Sequence, residues 1–187
     1  TITHKPYLKE LITNRTKMFG ADFATSIASV GFWGEGAYFL TDDKDGVDPL
    51  SKNPYFQVVV GADYQFNNNY KINIQYFQEI VTKTDDDLEK TSEEKMMSKL
   101  GIGLPLKQAI TCRFEKKFGQ AEEYKVELFG IYDLKYNGIL FTPKFFYSPE
   151  DGVNIEAGYN LFAGEEDSFW TQFQHNDEVY LKCTYSF

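Results

Sequence analysis

The chain is short of the residues on which most catalytic and metal chemistry depends. It has only two histidines and two cysteines. Cys112 and Cys183 stand far apart and belong to no CxxC or Cys/His grouping, so neighbouring residues supply neither a zinc site nor a redox pair. Both sit among apolar residues of strand-like runs, where cysteine behaves as a small hydrophobe. His4 and His175 have no companion at metal-ligand spacing, and no Ser/His/Asp or Cys/His set can be assembled for nucleophilic catalysis. The expectation is a protein that is not an enzyme and holds no cofactor and no metal.

Positive charge is scarce too. Lys and Arg total 19 against 28 Asp and Glu, a net charge of −9, which argues against nucleic acid as a partner. No apolar run exceeds a few residues, whereas a membrane-spanning helix needs about 20. The opening "TITHKPYLKEL" lacks the apolar centre of a secretion signal, so the expected protein is processed or part of something longer. Helical periodicity is nearly missing as well.

Aromatic residues and strict alternation are what the chain does have. Phe and Tyr number 17 and 13, and aromatics reach 17% of an otherwise acidic sequence. "YFQVVVGADYQF" sets Phe56, Val58, Val60, Ala62, Tyr64 and Phe66 on one side of an extended chain. "YKINIQYFQEI" does the same with Tyr70, Ile72, Ile74 and Tyr76, and the Asn67–Asn69 triplet between the two runs suits a tight turn. "YKVELFGIYDLKY" and "ILFTPKFFY" flank Asn137-Gly138, a strong hairpin signal, and "SPEDG" leads into the alternating "VNIEAGYNLF". Residues 99–118 keep one apolar parity and read as one long strand, with weaker strands over about 16–25 and 30–42. The stretch 1–15 is poorly defined.

The expected fold is all-β: one domain over 1–187 of about 8–10 antiparallel up-and-down strands, long enough to cross a bilayer at a tilt. Connections alternate in length. The long acidic loops 43–53, 84–95 and 164–177 fall at one end, and the short turns fall at the other save that at Asn137-Gly138. Membrane β-barrels show this asymmetry.

Alternation alone leaves open which face is wet. In a soluble lipocalin-like barrel Phe56, Val58, Val60, Ile72, Ile74 and Tyr159 would line a ligand cavity. In a membrane barrel they would meet lipid. The polar parity favours the second arrangement, because it is rich in small and hydrogen-bonding residues and its charges balance. Glu35, Asp63, Glu127 and Glu156 are expected to line a lumen with Lys71, Lys99, Arg113, Lys135, Lys144 and Lys182, as a paired ionic network. Asp43, Asp45, Gly46 and Asp48 suggest a calcium loop, but Pro54 stands where a bidentate Glu would end it, so a solvated acidic loop is expected. The carboxylates from Asp85 to Glu94 read the same way. Glu35, beside Trp33, either pairs with a lumen cation or lines a permeation path.

The terminal "VYLKCTYSF" places Val179, Leu181, Cys183, Tyr185 and Phe187 on one stripe ending in an aromatic. This resembles the C-terminal assembly signal of bacterial outer-membrane proteins. With "ITCRFEKKF", "VELFGIYDLKYNG", "PKFFYSPEDGVNIEAGYNLFAG" and the distinctive "SFWTQFQHND", the chain resembles Gram-negative outer-membrane barrels related to alginate-export-type porins, over roughly 16–187. The resemblance is to the C-terminal part of such proteins. It implies a whole small barrel or part of a larger one, embedded in the outer membrane against lipid and lipopolysaccharide and inserted by the assembly machinery, as a monomer or homo-oligomer. The function expected is a porin-like passive channel for small polar solutes, with a plugged structural or adhesive barrel and the lipocalin-like barrel as alternatives.

Overall fold

The computed structural model describes residues 15–42, 44–45, 52–66, 69–82, 106–166 and 168–187. The strands are β1 (Lys17–Ile27), β2 (Val30–Leu40), β3 (Tyr55–Phe66), β4 (Tyr70–Val81), β5 (Gln108–Phe118), β6 (Tyr124–Asp133), β7 (Gly138–Tyr147), β8 (Val153–Gly164) and β9 (Glu178–Tyr185). Each pairs antiparallel with the next, giving one nine-stranded sheet in sequence order. The sheet is open. Only one flank of β1 and one of β9 is paired, so the described residues form an all-β up-and-down sheet and not a closed barrel. Both edge strands are exposed almost throughout, as expected of strands packed on one side only.

Local chemistry sets the strand ends. β1 and β2 meet at Ala28 and Ser29, both at positive φ (49° and 68°), a mirror-image turn that matches strand twist. Gly152, at φ 82°, ends the "SPEDG" turn before β8. The alternating run ending "YDLKY" reads as strand through Tyr136, but β6 stops at Asp133. Its carboxylate Oδ1 accepts the N–H groups of Lys135 and Tyr136 at 2.9 and 3.2 Å, curling the chain into a turn. Asn137 then takes φ 50° and Gly138 opens β7. Of the long strand expected over 99–118, β5 accounts for Gln108–Phe118, and residues 99–105 lie outside the described residues.

The pairing register sorts the side chains into two faces. Every strand carboxylate falls on one of them, with Asp22 opposite Glu35, Glu79 opposite Gln57, Glu115 opposite Glu127 and Glu156 opposite Lys182. Of the strand cations only Lys17 and Lys116 lie on the other face, each near a strand end. The ionic face is the more enclosed one on β6 but not throughout, since Asp22, Glu35, Asp63, Arg113 and Lys182 are exposed. On β6 its Glu127 and Asp133 are 9% and 0% exposed, while Leu128 and Tyr132 on the apolar face are 37% and 42% exposed. Burial of apolar bulk therefore does not organise this sheet. Among the described residues Ala109 and Trp170 are the only buried hydrophobic ones.

Candidate functional site: the ionic face

Two adjacent transverse rows cross the middle of this face. One passes from Gly31 through Asp63, Asn73, Arg113 and Phe129 to Thr142. The next passes from Lys71 through Glu115, Glu127, Lys144 and Gly158 to Tyr180. Strand period and antiparallel register together bring residues as distant as Asp63 and Lys144 onto one surface. Between the rows lies a cleft of about 430 Å3 lined by Asp63, Lys71, Asn73, Gln75, Arg113 and Glu115. Phe129 closes one side, 5.2 Å from the Arg113 guanidinium carbon. The Gln75 amide donates to Asn73 Oδ1 at 2.9 Å, ordering two amides along the wall.

Ion pairing is sparser than the balance of charges suggests. Glu79 receives Lys107 at 2.7 Å, Lys52 at 3.1 Å and the Gln57 amide at 2.8 Å, and its side chain is only 6% exposed. This knot ties the residues just ahead of β3 and β5 to the edge of the ionic face, since Lys52 and Lys107 closely precede those strands. Glu127 lies 3.9 Å from Lys125 and 3.8 Å from Lys144, loose contacts on partly wet side chains. Asp63, Lys71, Arg113, Glu115, Glu35 and Lys182 make no ion pair among the described residues, although Lys71 and Glu115 stand directly opposite each other. A hydrated face explains this, because pairing two long side chains in water returns almost nothing for the freedom lost. Glu156 instead accepts the Tyr180 hydroxyl at 2.7 Å.

Of the residues expected to face a lumen, Glu35, Asp63, Lys71, Arg113, Glu127, Lys144, Glu156 and Lys182 share the ionic face. Glu35 stands opposite Asp22, a like-charged neighbour. Lys135 does not join them. It belongs to the Leu134–Asn137 turn, 4.8 Å from the Tyr136 ring, because the Asp133 side chain ends β6 first. Lys99 lies outside the described residues. So do the triplet's Asn67 and Asn68, and most of the acidic stretches 43–53 and 84–95. His175 sits in a turn, and no metal-holding cluster occurs among the described residues.

Sequence periodicity could not find the strap that crosses one corner of this face. After β8 the chain makes a 3-10 turn, Phe169–Phe173, started by Ser168, whose hydroxyl accepts the Trp170 N–H at 3.2 Å. Trp170 is 4% exposed and stacks with Phe162 at 6.2 Å between ring centroids. The platform beneath is Gly138 beside Gly164, neighbours in register, and any Cβ on either would run into Ser168. Asp133 Oδ2 and Trp170 Nε1 are buried there, an acceptor and a donor without partners among the described residues. Asp177 anchors the strap's far end. It accepts the Tyr159 hydroxyl at 2.7 Å and the Phe162 N–H at 3.1 Å, which hold its carboxyl below the usual aspartate value.

The apolar face carries a second arrangement at the short-turn end. Tyr64 packs on Phe66 at 4.3 Å and Tyr70 on Phe114 at 6.2 Å between centroids. Phe118, Tyr124, Phe145 and Tyr147 form a continuous group with spacings of 5.0 to 6.4 Å. Lys116 reaches over Tyr70 at 5.1 Å, and Tyr185 and Phe187 extend the band past β9 at 6.3 Å. β9 itself ends at Tyr185, with Ser186 N–H bonding Gly152 O at 2.8 Å, so Phe187 stands just beyond the strand and fully exposed.

Comparison of the chain with protein-family models, curated proteins and solved structures finds no match.

Proposed function

We propose that this sheet forms wall of a transmembrane β-barrel in a bacterial outer membrane, and that its ionic face lines an aqueous path for small polar solutes. The carrying observation is the sorting of charge: all strand carboxylates fall on one face, with exposed bulky apolar groups on the other. In water that exposed surface would be an unmet cost, since even a large patch on a soluble protein reaches only some 300–600 Å2. In lipid it is the required surface. Strands of 8 to 12 residues suit a tilted crossing of the hydrocarbon layer. The aromatic band matches the level at which amphipathic rings settle between lipid tails and headgroups.

On this reading Val179, Leu181, Cys183, Tyr185 and Phe187 are the stripe that the assembly machinery recognises, and the acidic loops face the lipopolysaccharide side. The lipocalin-like alternative needs Val60 and Ile74 enclosed, yet these are 43% and 47% exposed. The strap supports a narrowed version of the path, because Trp170 and its neighbours occupy part of the ionic face.

The test is migration in a detergent gel before and after boiling, followed by current recording in a planar lipid bilayer. A folded form with altered mobility that yields discrete conductance steps is the expected result. A folded form without steps makes the sheet a plugged scaffold, and a monodisperse protein in detergent-free buffer removes the membrane reading altogether.

A further inference from the structure

The cleft on the ionic face holds two anions and two cations that leave one another alone. Lys71 faces Glu115 across the β4–β5 pair, and Asp63 and Arg113 flank Asn73 in the neighbouring row. None of the four makes an ion pair among the described residues. Adjacent strands lie about 4.8 Å apart, so Asp63 and Arg113 are roughly 10 Å apart at the backbone with an amide between them. Arg113 leans on the Phe129 ring at 5.2 Å, which steadies the guanidinium. A guanidinium so held offers a planar pair of N–H donors that suits a carboxylate.

We infer that this cleft selects small zwitterionic solutes, those carrying an ammonium and a carboxylate on one short molecule, such as free amino acids and short peptides. The inference rests on the aqueous-path reading above and narrows its substrate class. Arg113 takes the carboxylate, with Lys71 beside it. Asp63 takes the ammonium, with Glu115 as second acceptor, and the Asn73 and Gln75 amides contact the uncharged middle. Selection against other classes follows from the same groups. A plain anion brings its charge towards Asp63 and Glu115, and a plain cation towards Lys71 and Arg113. A neutral sugar meets four charges, none of which it can neutralise.

The experiment is equilibrium dialysis of the full chain refolded in detergent micelles. The probes are glycylglycine, its anionic analogue N-acetylglycine, its cationic analogue glycinamide, and glucose. Glycylglycine should bind at least about tenfold more tightly than each of the other three. Arg113→Gln should move the preference towards glycinamide, and Asp63→Asn towards N-acetylglycine, while Asp151→Asn in a remote turn leaves it unchanged. Each variant is accepted only if it keeps the gel mobility of the folded parent, and the parent's own ranking of the four probes decides the matter without any variant. Equal binding of the four, tighter binding of glucose or of either singly charged analogue, or no binding overturns the inference. A protein that folds in detergent and conducts, yet ignores glycylglycine, sinks this selectivity alone. A protein that never takes a detergent-folded form sinks the membrane reading beneath it.

Discussion

Ala28 and Ser29 both occupy the left-handed region without being glycine or asparagine, at φ 49° and 68°. Each L residue there costs roughly 1–2 kcal/mol relative to its preferred conformations. Ser29→Gly should therefore stabilise the folded state by about 0.5–1 kcal/mol, read from the urea midpoint in micelles. The two faces give a sharper contrast. Val58→Arg puts a guanidinium on the apolar face and should cost about 2–4 kcal/mol of folding into lipid vesicles. Asn73→Arg, one strand away on the ionic face, should be tolerated with far less loss. Equal losses at both positions would mean that the faces are assigned the wrong way round.

The strap and its glycine platform act as one element. A Cβ at Gly138 would overlap Ser168 Oγ and approach Trp170 Cδ1 to 2.8 Å, so Gly138→Ala must lift the 3-10 turn. The expected loss is about 1–3 kcal/mol, with Trp170 emission shifting to the red as the indole meets water. Gly130→Ala is the control, because its nearest atoms are 3.7 Å away. The same strap is pinned by Asp177, whose carboxyl sits below its ordinary value because it accepts the Tyr159 and Phe162 bonds. A depressed acid stabilises where it is ionised in both states. Its contribution is thus full above the unfolded aspartate value and fades as pH falls through the lower folded one. Protection of the Phe162 amide against hydrogen exchange should drop over that acidic window, and Asp177→Asn should show the weakened protection already at neutral pH.

Across the whole molecule, the sheet was legible wherever period 2 governs. The runs starting at Tyr55, Tyr70, Tyr124 and Val153 begin their strands at those residues, because alternate burial and pairing register share one period. Legibility failed where a side chain bonds the backbone locally. Asp133 turned Lys135 out of its strand, and no alternation pattern records that bond. It failed again in "SFWTQFQHND", whose turn depends on two glycines some 4 and 30 residues upstream in chain. The charged face was readable as a set of positions, but its pairing was not, since water competes with every exposed ion pair. Stability should be lowest at the rims, so amide protons of β1 and β9 should exchange before those of β4 to β6.

The odd number of strands among the described residues has its own consequence. β1 and β9 both run from the long-loop end to the short-turn end, since eight reversals separate them. A seam joining one directly to the other would be a parallel ladder in a sheet otherwise antiparallel. Two copies sharing one membrane orientation would meet β9 to β1 in that same sense, at both seams. A ring that stays antiparallel all the way round must insert an odd number of further strands between these borders, and its total is then even.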